Sequence, residues 1–213
     1  MPSPYNIEFA LKSAPLFSDR VRDSYFALPA DRYLQAGQVF RQRRFSKVRV
    51  TDVGLAAVDD TKFFQDSAIN HYAGGMNRLF DPVEPDVLAE FSAYYSSNIG
   101  SHFAEQHKEV GFHQIRITCA TNYVGYPVPE GWHKDGYDFI AMMCVSAVNM
   151  SGGISRIRED LSSDKDFFTR LLKPGEILIL NDHRFNHFTD PINMTHQGDI
   201  GYRDMLVVTI SCK

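Results

Sequence analysis

The stretch YDFIAMMCVSAVNMSGGISRI, residues 137–157, shows how the second half of the chain folds. It contains an apolar run of strand length at 137–149, a turn cluster at 151–153 and the start of another strand at 154–157. Similar β-rich runs, separated by turn clusters, occupy residues 113–123, 177–180, 185–192 and 203–211. Short strands at this close spacing predict a sandwich or a jelly roll.

The first half of the chain has a helical pattern instead. Apolar residues recur at three- and four-residue intervals over positions 88–103, which is the spacing of a helical stripe. We expect this helix to begin near Pro85, because proline suits the first turn. A shorter helix is predicted over residues 62–72, with Asp60 or Thr61 as its N-cap.

The length and composition are those of one domain. The 213 residues are 44% hydrophobic, so the chain can form a core without a metal or a disulfide, and no flexible linker interrupts it. Residues 40–55 have a strand pattern, but most strands lie in the second half, without the crossover helices that parallel pairing needs. We therefore predict a single α+β domain over 1–213, with a helix-rich flank at 1–111 and a jelly-roll core at 112–213.

Charge argues against a nucleic-acid partner. The chain has 22 basic and 26 acidic residues, a formal net charge of −4, whereas proteins that bind phosphate backbones are usually basic. A basic cluster alternates with apolar residues in one predicted strand and is interpreted as its solvated face: Arg41, Arg43, Arg44, Lys47 and Arg49.

Apolar patterning predicts a cytoplasmic protein that does not cross a membrane. No apolar run reaches the roughly 18 residues of a membrane helix, and residues 1–9 lack the order of a secretory signal. Cys119, Cys144 and Cys212 lie in apolar stretches without C-x-x-C spacing, so buried, reduced thiols are expected.

The most informative stretch for chemistry is EGWHKDG, residues 130–136. In extended backbone, His133 and Asp135 would point to the same side and offer two ligands for a metal. A third ligand is available in residues 182–190, where His187 lies inside a predicted strand and is held more rigidly than His183 on the preceding turn. Two histidines and one carboxylate are typical of non-haem Fe(II) oxygenases; zinc is the main competitor, but no H-E-x-x-H motif occurs.

Four ordered motifs then point to one family: PVPEGWHKDGY at 127–137, NMSGG at 149–153, LNDHRFNHFTDPI at 180–192 and GYRDMLVVT at 201–209. Together they resemble bacterial iron(II)/2-oxoglutarate dioxygenases of the free-amino-acid hydroxylase type, the isoleucine-hydroxylase-like group. The resemblance covers roughly the C-terminal half, with a looser likeness at residues 41–49. It implies a double-stranded β-helix, a cupin-like jelly roll, with the N-terminal helices packed on one sheet.

The resemblance also implies roles for particular residues. His133, Asp135 and His187 would bind Fe(II), and Arg203 would hold the distal carboxylate of the cosubstrate 2-oxoglutarate, with O₂ as the oxidant. A guanidinium suits that role because it is permanently charged and can bind a carboxylate bidentately. Without the metal triad, a pairing of Arg203 with Asp204 or Asp199 would be the simpler interpretation.

Two further residues are candidates for contacting the substrate. Arg116 lies between Ile115 and Ile117 on a predicted strand and faces either solvent or the barrel, where a substrate carboxylate could be its partner. Trp132 precedes the first ligand, at a position where the family often has an aliphatic residue; packing at the core or rim is its alternative role. The remaining histidines have no spacing partner and are assigned to the surface or ordinary core: His71, His102, His107, His113 and His196.

The sequence therefore predicts an Fe(II)/2-oxoglutarate-dependent hydroxylase of a free aliphatic L-amino acid. One alternative keeps this chemistry but changes the substrate to another small metabolite or a protein side chain. Another alternative is a non-catalytic jelly-roll protein that binds ligands or regulates stress responses. The oligomeric state is left open.

Overall fold

The computed structural model describes residues 8–59, 62–67, 72, 74–103, 108–196, 198 and 200–212. Within these ranges lie helices α1 (Asp19–Ser24) and α2 (Pro85–Asn98) and the 3-10 helices Tyr25–Ala27 and Gly100–Phe103. The strands are β1 (Phe9–Ser13), β2 (Arg41–Thr51), β3 (Gly54–Val58), β4 (Lys62–Phe64), β5 (Asn77–Leu79), β6 (Glu109–Cys119), β7 (Phe139–Val148), β8 (Met150–Gly152), β9 (Ser155–Arg158), β10 (Phe168–Arg170), β11 (Glu176–Asn181), β12 (Asn186–Thr189), β13 (Ile192–Met194) and β14 (Gly201–Ser211).

A seven-stranded sheet in the order β1-β11-β7-β14-β6-β2-β3 forms the main layer. Its central strand, β14, pairs antiparallel with β6 from Gly201↔Cys119 to Ser211↔Glu109, and with β7 on its other edge. The strands β1, β2 and β3 come from residues 1–111, so both halves of the chain contribute to one sheet. Because side chains alternate along each strand, this sheet presents two distinct faces.

Helix α2 covers one face of the main sheet. It begins with Pro85 in its first turn and buries Val87, Phe91 and Tyr95 at three- to four-residue spacing. These side chains belong to the same buried cluster as Phe112 and other residues of the sheet. The predicted helix is confirmed, although its final turns form the separate 3-10 helix Gly100–Phe103.

A second layer lies over the opposite face. The strands β10, β9 and β12 form a small antiparallel sheet, and β13 pairs with β8. Ile157 of this layer and Phe185 pack with Ile140 and Leu178 of the main sheet in a second buried cluster. The predicted α+β fold, a jelly roll with N-terminal helices packed on one sheet, is confirmed.

The predicted helix over residues 62–72 is wrong at its beginning. Residues 62–64 form β4, which pairs with β5, and only the middle residue, Phe63, is buried. Phe63 packs in a cluster with Phe45 and Phe80, so tertiary contacts stabilise extended backbone here. Asp60, Thr61 and residues 68–71 lie outside the described ranges.

The basic cluster on β2 is also only partly a solvated face. Arg41 and Arg43 are buried, because they point to the side of the main sheet that the second layer covers, whereas Arg49 is exposed. Arg44, on the other side of the strand, pairs with Glu84 at 3.3 Å. Alternation along β2 therefore brings two guanidinium groups into the interior.

Cys119, Cys144 and Cys212 are buried free thiols, as predicted. None of the helices in the described ranges has both the length and the apolar composition needed to cross a lipid bilayer.

Arg116 lies in a buried ion pair on the helix-covered face. Its Nε and Nη2 donate to the two carboxylate oxygens of Asp204 at 2.6 and 2.8 Å. Its guanidinium carbon lies 3.9 Å from the ring centroid of Phe26 and 4.1 Å from that of Tyr202. The prediction that Arg116 contacts the substrate is therefore wrong, because Asp204 supplies the anionic partner that this buried cation requires.

Removing one member of this pair should destabilise the fold. We predict that Asp204→Asn lowers the free energy of unfolding by about 3–5 kcal/mol, since it leaves the charge of Arg116 buried and uncompensated. Urea denaturation followed by circular dichroism measures this loss, with Asp160→Asn at the surface as the matched control. A loss as small as that of the control would contradict the assigned role of the pair.

Candidate metal centre and its cavity

His133, Asp135 and His187 form the only cluster of at least three potential metal ligands among the described residues. Their ligand atoms lie within 4.8 Å of one another. Asp135 is central, with Oδ1 3.8 Å from His133 Nε2 and Oδ2 3.5 Å from His187 Nε2. The three residues predicted from the sequence are thus brought together with their ligand atoms close enough to share one metal ion.

Backbone pairing brings the two histidines together. The amide of each donates to the carbonyl of the other, with N···O distances of 3.1 and 2.9 Å, and their ring centroids lie 4.1 Å apart. His133 is thereby joined to β12, although residues 133–135 form no regular strand of their own. A directly opposed antiparallel pair holds two side chains on the same face, which suits a shared ligand.

The ring nitrogens of the histidines are arranged for ligation through Nε2. His133 Nδ1 lies 2.9 Å from the carbonyl oxygen of Gly131, so Nδ1 carries the proton and Nε2 presents a lone pair toward Asp135. His187 Nδ1 is buried and has no hydrogen-bond partner, while the carboxylate of Asp182 lies 3.9 Å away.

Asp182 holds the loop that carries the central carboxylate. Its buried side chain accepts hydrogen bonds from the backbone amides of Asp135, Gly136 and Tyr137, at 3.1, 2.7 and 3.1 Å. Three donors converging on one carboxylate fix the path of this loop just beyond the H-x-D triplet. The sequence offered only proximity to His183 and His187 as a signal for this role.

Gln65 supports Asp135 from a different part of the chain. Its Nε2 donates to Asp135 Oδ1 at 2.9 Å, and its Oε1 accepts a short hydrogen bond from Arg78 Nη2. Burial alone would raise the pKa of Asp135, but hydrogen bonding to His187 and its positive charge hold that pKa below its ordinary value. Asp135 is therefore an ionised carboxylate, as a cation ligand must be.

Arg203 is a buried cation in the same cavity, and its partners are the carbonyl oxygen of Gly153 and the thiol of Cys144. It is 1% exposed, and Nη1 donates to the carbonyl oxygen of Gly153 at 2.5 Å. Gly153 has a φ of +66°, which favours glycine and explains one residue of the NMSGG motif. Nε and Nη2 of Arg203 have no hydrogen-bond partner. Asp204, an alternative pairing partner for Arg203, binds Arg116 on the opposite face, and Asp199 lies outside the described residues.

The cavity is lined both by charged groups and by apolar side chains. Four guanidinium groups and two carboxylates line it, together with aliphatic and thioether side chains of the main sheet. The charged members are Arg41, Arg43, Arg78, Arg203, Glu130 and Asp135. Ile115, Ile117, Met142, Met205 and Val207 contribute apolar surface.

Several of these lining residues were missed or assigned differently in the sequence. His113, assigned to the surface or ordinary core, is 2% exposed, lines the cavity and has Nδ1 2.6 Å from Arg43 Nη2. Alternation along β6, with Ile115 and Ile117 already predicted on one face, was the signal that could have found it. Gln65 directly follows β4 and Arg78 lies in β5, and neither strand was predicted from the sequence.

Trp132 does not line the cavity. Its ring packs against Phe188 at a centroid distance of 5.5 Å, with Arg158 4.5 Å from the ring centroid. These contacts support the packing alternative for Trp132. Among the other histidines, His183 is exposed and bonds Asp138 at 3.0 Å. His71 and His107 lie outside the described residues.

Comparison with known proteins agrees with this geometry. A family model described as 2OG-Fe dioxygenase matches residues 22–209. A solved structure of a bsmA homolog from Methylobium petroleophilum PM1 is 26% identical, with a TM-score of 0.78 over 91% of this chain and 80% of that one. No curated protein matches the chain.

More distant structures share the fold. The protein IDO from Bacillus thuringiensis is 19% identical, with a TM-score of 0.71 over 91% of this chain and 82% of its own. A prolyl-4-hydroxylase from Pseudomonas putida is 10% identical, with a TM-score of 0.50 over 98% and 94% of the two chains.

The role of Asp182 can be tested through metal affinity. We predict that Asp182→Asn weakens binding of Co²⁺ by about 10- to 100-fold, because groups that orient metal ligands have effects of this size. Titration followed by the visible absorption of bound Co²⁺ measures the affinity, and exposed Asp160→Asn is the control. Unchanged affinity in folded Asp182→Asn protein would show that its three hydrogen bonds are dispensable for the site.

Proposed function

The chain belongs to the 2OG-Fe dioxygenase family, and on that premise we propose that it hydroxylates a free aliphatic L-amino acid. The general chemistry follows from the family: the protein is an Fe(II)- and 2-oxoglutarate-dependent dioxygenase. One observation supports the assignment of residues within it. The buried Arg203 and the cluster of His133, Asp135 and His187 line a single cavity.

The donor set of this cluster fits iron. Two imidazoles and one carboxylate leave coordination positions open for other ligands, an arrangement typical of non-haem Fe(II) oxygenases. His133 Nδ1 donates its proton to the carbonyl oxygen of Gly131, which leaves Nε2 available as a ligand atom. The ionised carboxylate of Asp135 supplies negative charge. We assign His133, Asp135 and His187 as the iron ligands.

Arg203 fits the distal carboxylate of 2-oxoglutarate. Burial lowers the pKa of its guanidinium, yet arginine keeps its charge in proteins. A buried cation with two unsatisfied donor atoms requires an anion, and no carboxylate of the described residues lies within ion-pair distance. A carboxylate on Nε and Nη2 would satisfy both donors at once.

The bound iron and 2-oxoglutarate would supply the oxidising chemistry, through oxidative decarboxylation of the cosubstrate. The chain's own residues hold these groups in place and shield them. Asp182 fixes the loop that carries Asp135, and Gln65 orients its carboxylate. Apolar side chains of the main sheet, including Met142 and Met205, exclude water from the floor of the cavity.

The proposal of an amino-acid substrate comes from the sequence motifs and from a cavity whose lining combines charged groups with aliphatic side chains. The alternatives are the same reaction on another small metabolite or on a protein side chain. The alternative of a non-catalytic jelly-roll protein lacks support in the site, because the three candidate iron ligands and Arg203 are all present.

Anaerobic spectroscopy tests the assigned ligands. With Fe(II) and 2-oxoglutarate, the wild-type protein should show a weak visible charge-transfer band, and His133→Ala should lack it. Arg203→Met should weaken 2-oxoglutarate binding by about 100-fold, since it removes a charged pair of hydrogen bonds, whereas exposed Arg32→Gln should not. Absence of the band from wild-type protein would rule out the dioxygenase assignment.

Substrate class is tested by succinate release over a panel of free L-amino acids. Aliphatic members such as L-isoleucine, L-leucine and L-valine should stimulate release above the uncoupled background. Hydroxylated product in the same reactions, measured by mass spectrometry, must match the succinate formed. A flat response across the panel would favour the alternative substrates.

Removal of the metal should leave the fold intact. The buried clusters on both faces of the main sheet contain no metal ligand, so chelation should lower thermal stability only by the linkage expected from ligand binding. Circular dichroism of EDTA-treated protein checks this. Global unfolding on chelation would contradict it.

A further inference from the structure

Arg203 accounts for only one of the four guanidinium groups that line the cavity. Arg41, Arg43 and Arg78 are 5%, 6% and 2% exposed, although arginine is rarely buried without a partner. Arg41 has such a partner, because its Nε donates to the buried carboxylate of Asp31 at 2.7 Å. Arg43 and Arg78 therefore remain to be explained.

No carboxylate of the described residues forms a direct ion pair with Arg43 or Arg78, although Asp31 and Asp135 act on both charges from a longer distance. Arg43 Nη2 lies 2.6 Å from His113 Nδ1, and Arg78 Nη2 donates to Gln65 Oε1. Both partners are neutral, since burial and the charge of Arg43 hold the pKa of His113 well below its ordinary value. The Nε atoms of both arginines are buried without a hydrogen-bond partner.

Aromatic rings hold the two guanidinium groups in place, and the charge of Arg78 acts on Arg43. Arg43 lies 4.3 Å from the ring centroid of Phe80, Arg78 lies 4.7 Å from that of Phe63, and Arg43 is also 5.5 Å from the Phe63 ring. Stacking on aromatic rings restricts both side chains before any ligand arrives. Their mutual repulsion is therefore maintained by the fold, and an anion between them would relieve it.

This pair is separate from Arg203. In the main sheet, β6 lies between β14 and β2. Ile117 of β6 is paired with Arg203 on one side and Arg41 on the other, whereas Arg43 is paired with Ile115. Arg43 is thus two strands away from Arg203 and two residues further along, about 12 Å between Cα atoms from standard sheet spacings. Arg43 and Arg203 therefore enter the cavity from different strands, and each keeps buried donor atoms without a partner.

The pair is also adjacent to the assigned iron ligands. Gln65 accepts from Arg78 and donates to Asp135, so Arg78 is two hydrogen bonds from the central ligand. A group bound at Arg43 and Arg78 would therefore lie beside the reacting centre rather than at a remote surface.

We infer that Arg43 and Arg78 form the anchor for a carboxylate of the organic substrate, distinct from the 2-oxoglutarate site at Arg203. The inference rests on the proposed dioxygenase function and adds to it the substrate group that is recognised. The substrate is a carboxylic acid, and for an amino acid the α-carboxylate is the anchored group. Gln65 links this anchor to Asp135.

Calorimetry on anaerobic protein loaded with Fe(II) and 2-oxoglutarate tests the anchor with matched ligands. L-Isoleucine should bind to wild-type protein, and L-isoleucinamide, in which a neutral carboxamide replaces the carboxylate, should bind at least about 10-fold more weakly. Equal binding of the amide would overturn the inference without any substitution in the protein.

Substitutions test the residues themselves. Arg43→Met and Arg78→Met should each weaken L-isoleucine binding by about 10- to 100-fold, while exposed Arg32→Gln leaves it unchanged. If either Met variant fails to fold, Arg43→Lys and Arg78→Lys take its place, with an expected loss of about 10-fold because the planar fork is lost. Wild-type affinity in these folded variants would overturn the inference.

The charge-transfer band separates the two carboxylate sites. Affinity for 2-oxoglutarate should stay within about threefold of wild type in the Arg43 and Arg78 variants and fall in Arg203→Met. The reverse pattern would assign Arg43 and Arg78 to the cosubstrate and overturn the inference.

Failure of the anchor and failure of the proposed function give different results. Suppose that no L-amino acid binds but that hexanoate or glutarate does, and that this binding requires Arg43 and Arg78. That result would support the carboxylate anchor and contradict the amino-acid substrate. If no carboxylate in this panel binds while the charge-transfer band is intact, the anchor is contradicted and the dioxygenase assignment is supported. Absence of the band removes the premise of both.

Discussion

Strand alternation in the main sheet is the constraint on which the rest of the structure depends. Along β14, Arg203 points into the cavity, while the next residue, Asp204, points to the helix-covered face. Along β6, His113 and Arg116 are separated in the same way. A shift in register by one residue would exchange these groups and place the Arg116–Asp204 ion pair where ligands are meant to bind.

The two faces deal with buried charge differently. On the helix side, the charge of Arg116 is neutralised within the chain by Asp204 and enclosed between two aromatic rings. On the cavity side, the guanidinium groups of Arg43, Arg78 and Arg203 have neutral partners or unsatisfied donors. Burying these groups without an acidic ion-pair partner costs free energy of folding, and anions bound at the proposed sites would recover it.

The candidate iron site depends on support from distant parts of the chain. His187 lies on β12 and pairs through its backbone with His133, while Asp182 binds the loop after Asp135. Gln65 reaches the same carboxylate from the N-terminal half. Residues separated by more than 100 positions therefore orient one ligand, which explains how an irregular H-x-D segment keeps a defined geometry.

By itself the sequence determined the strand-rich second half and the main helix, and it predicted the residues of the candidate metal site and Arg203, because periodicity and ordered motifs are local properties. Only the tertiary structure decided which face each arginine occupies. Alternation along a strand predicts that Arg116 and Arg43 point to the side opposite their sequence neighbours. The helices packed on one face and the second layer on the other decide which groups these side chains contact. The anchor at Arg43 and Arg78 arises from two strands far apart in sequence, and no local pattern carries such a contact.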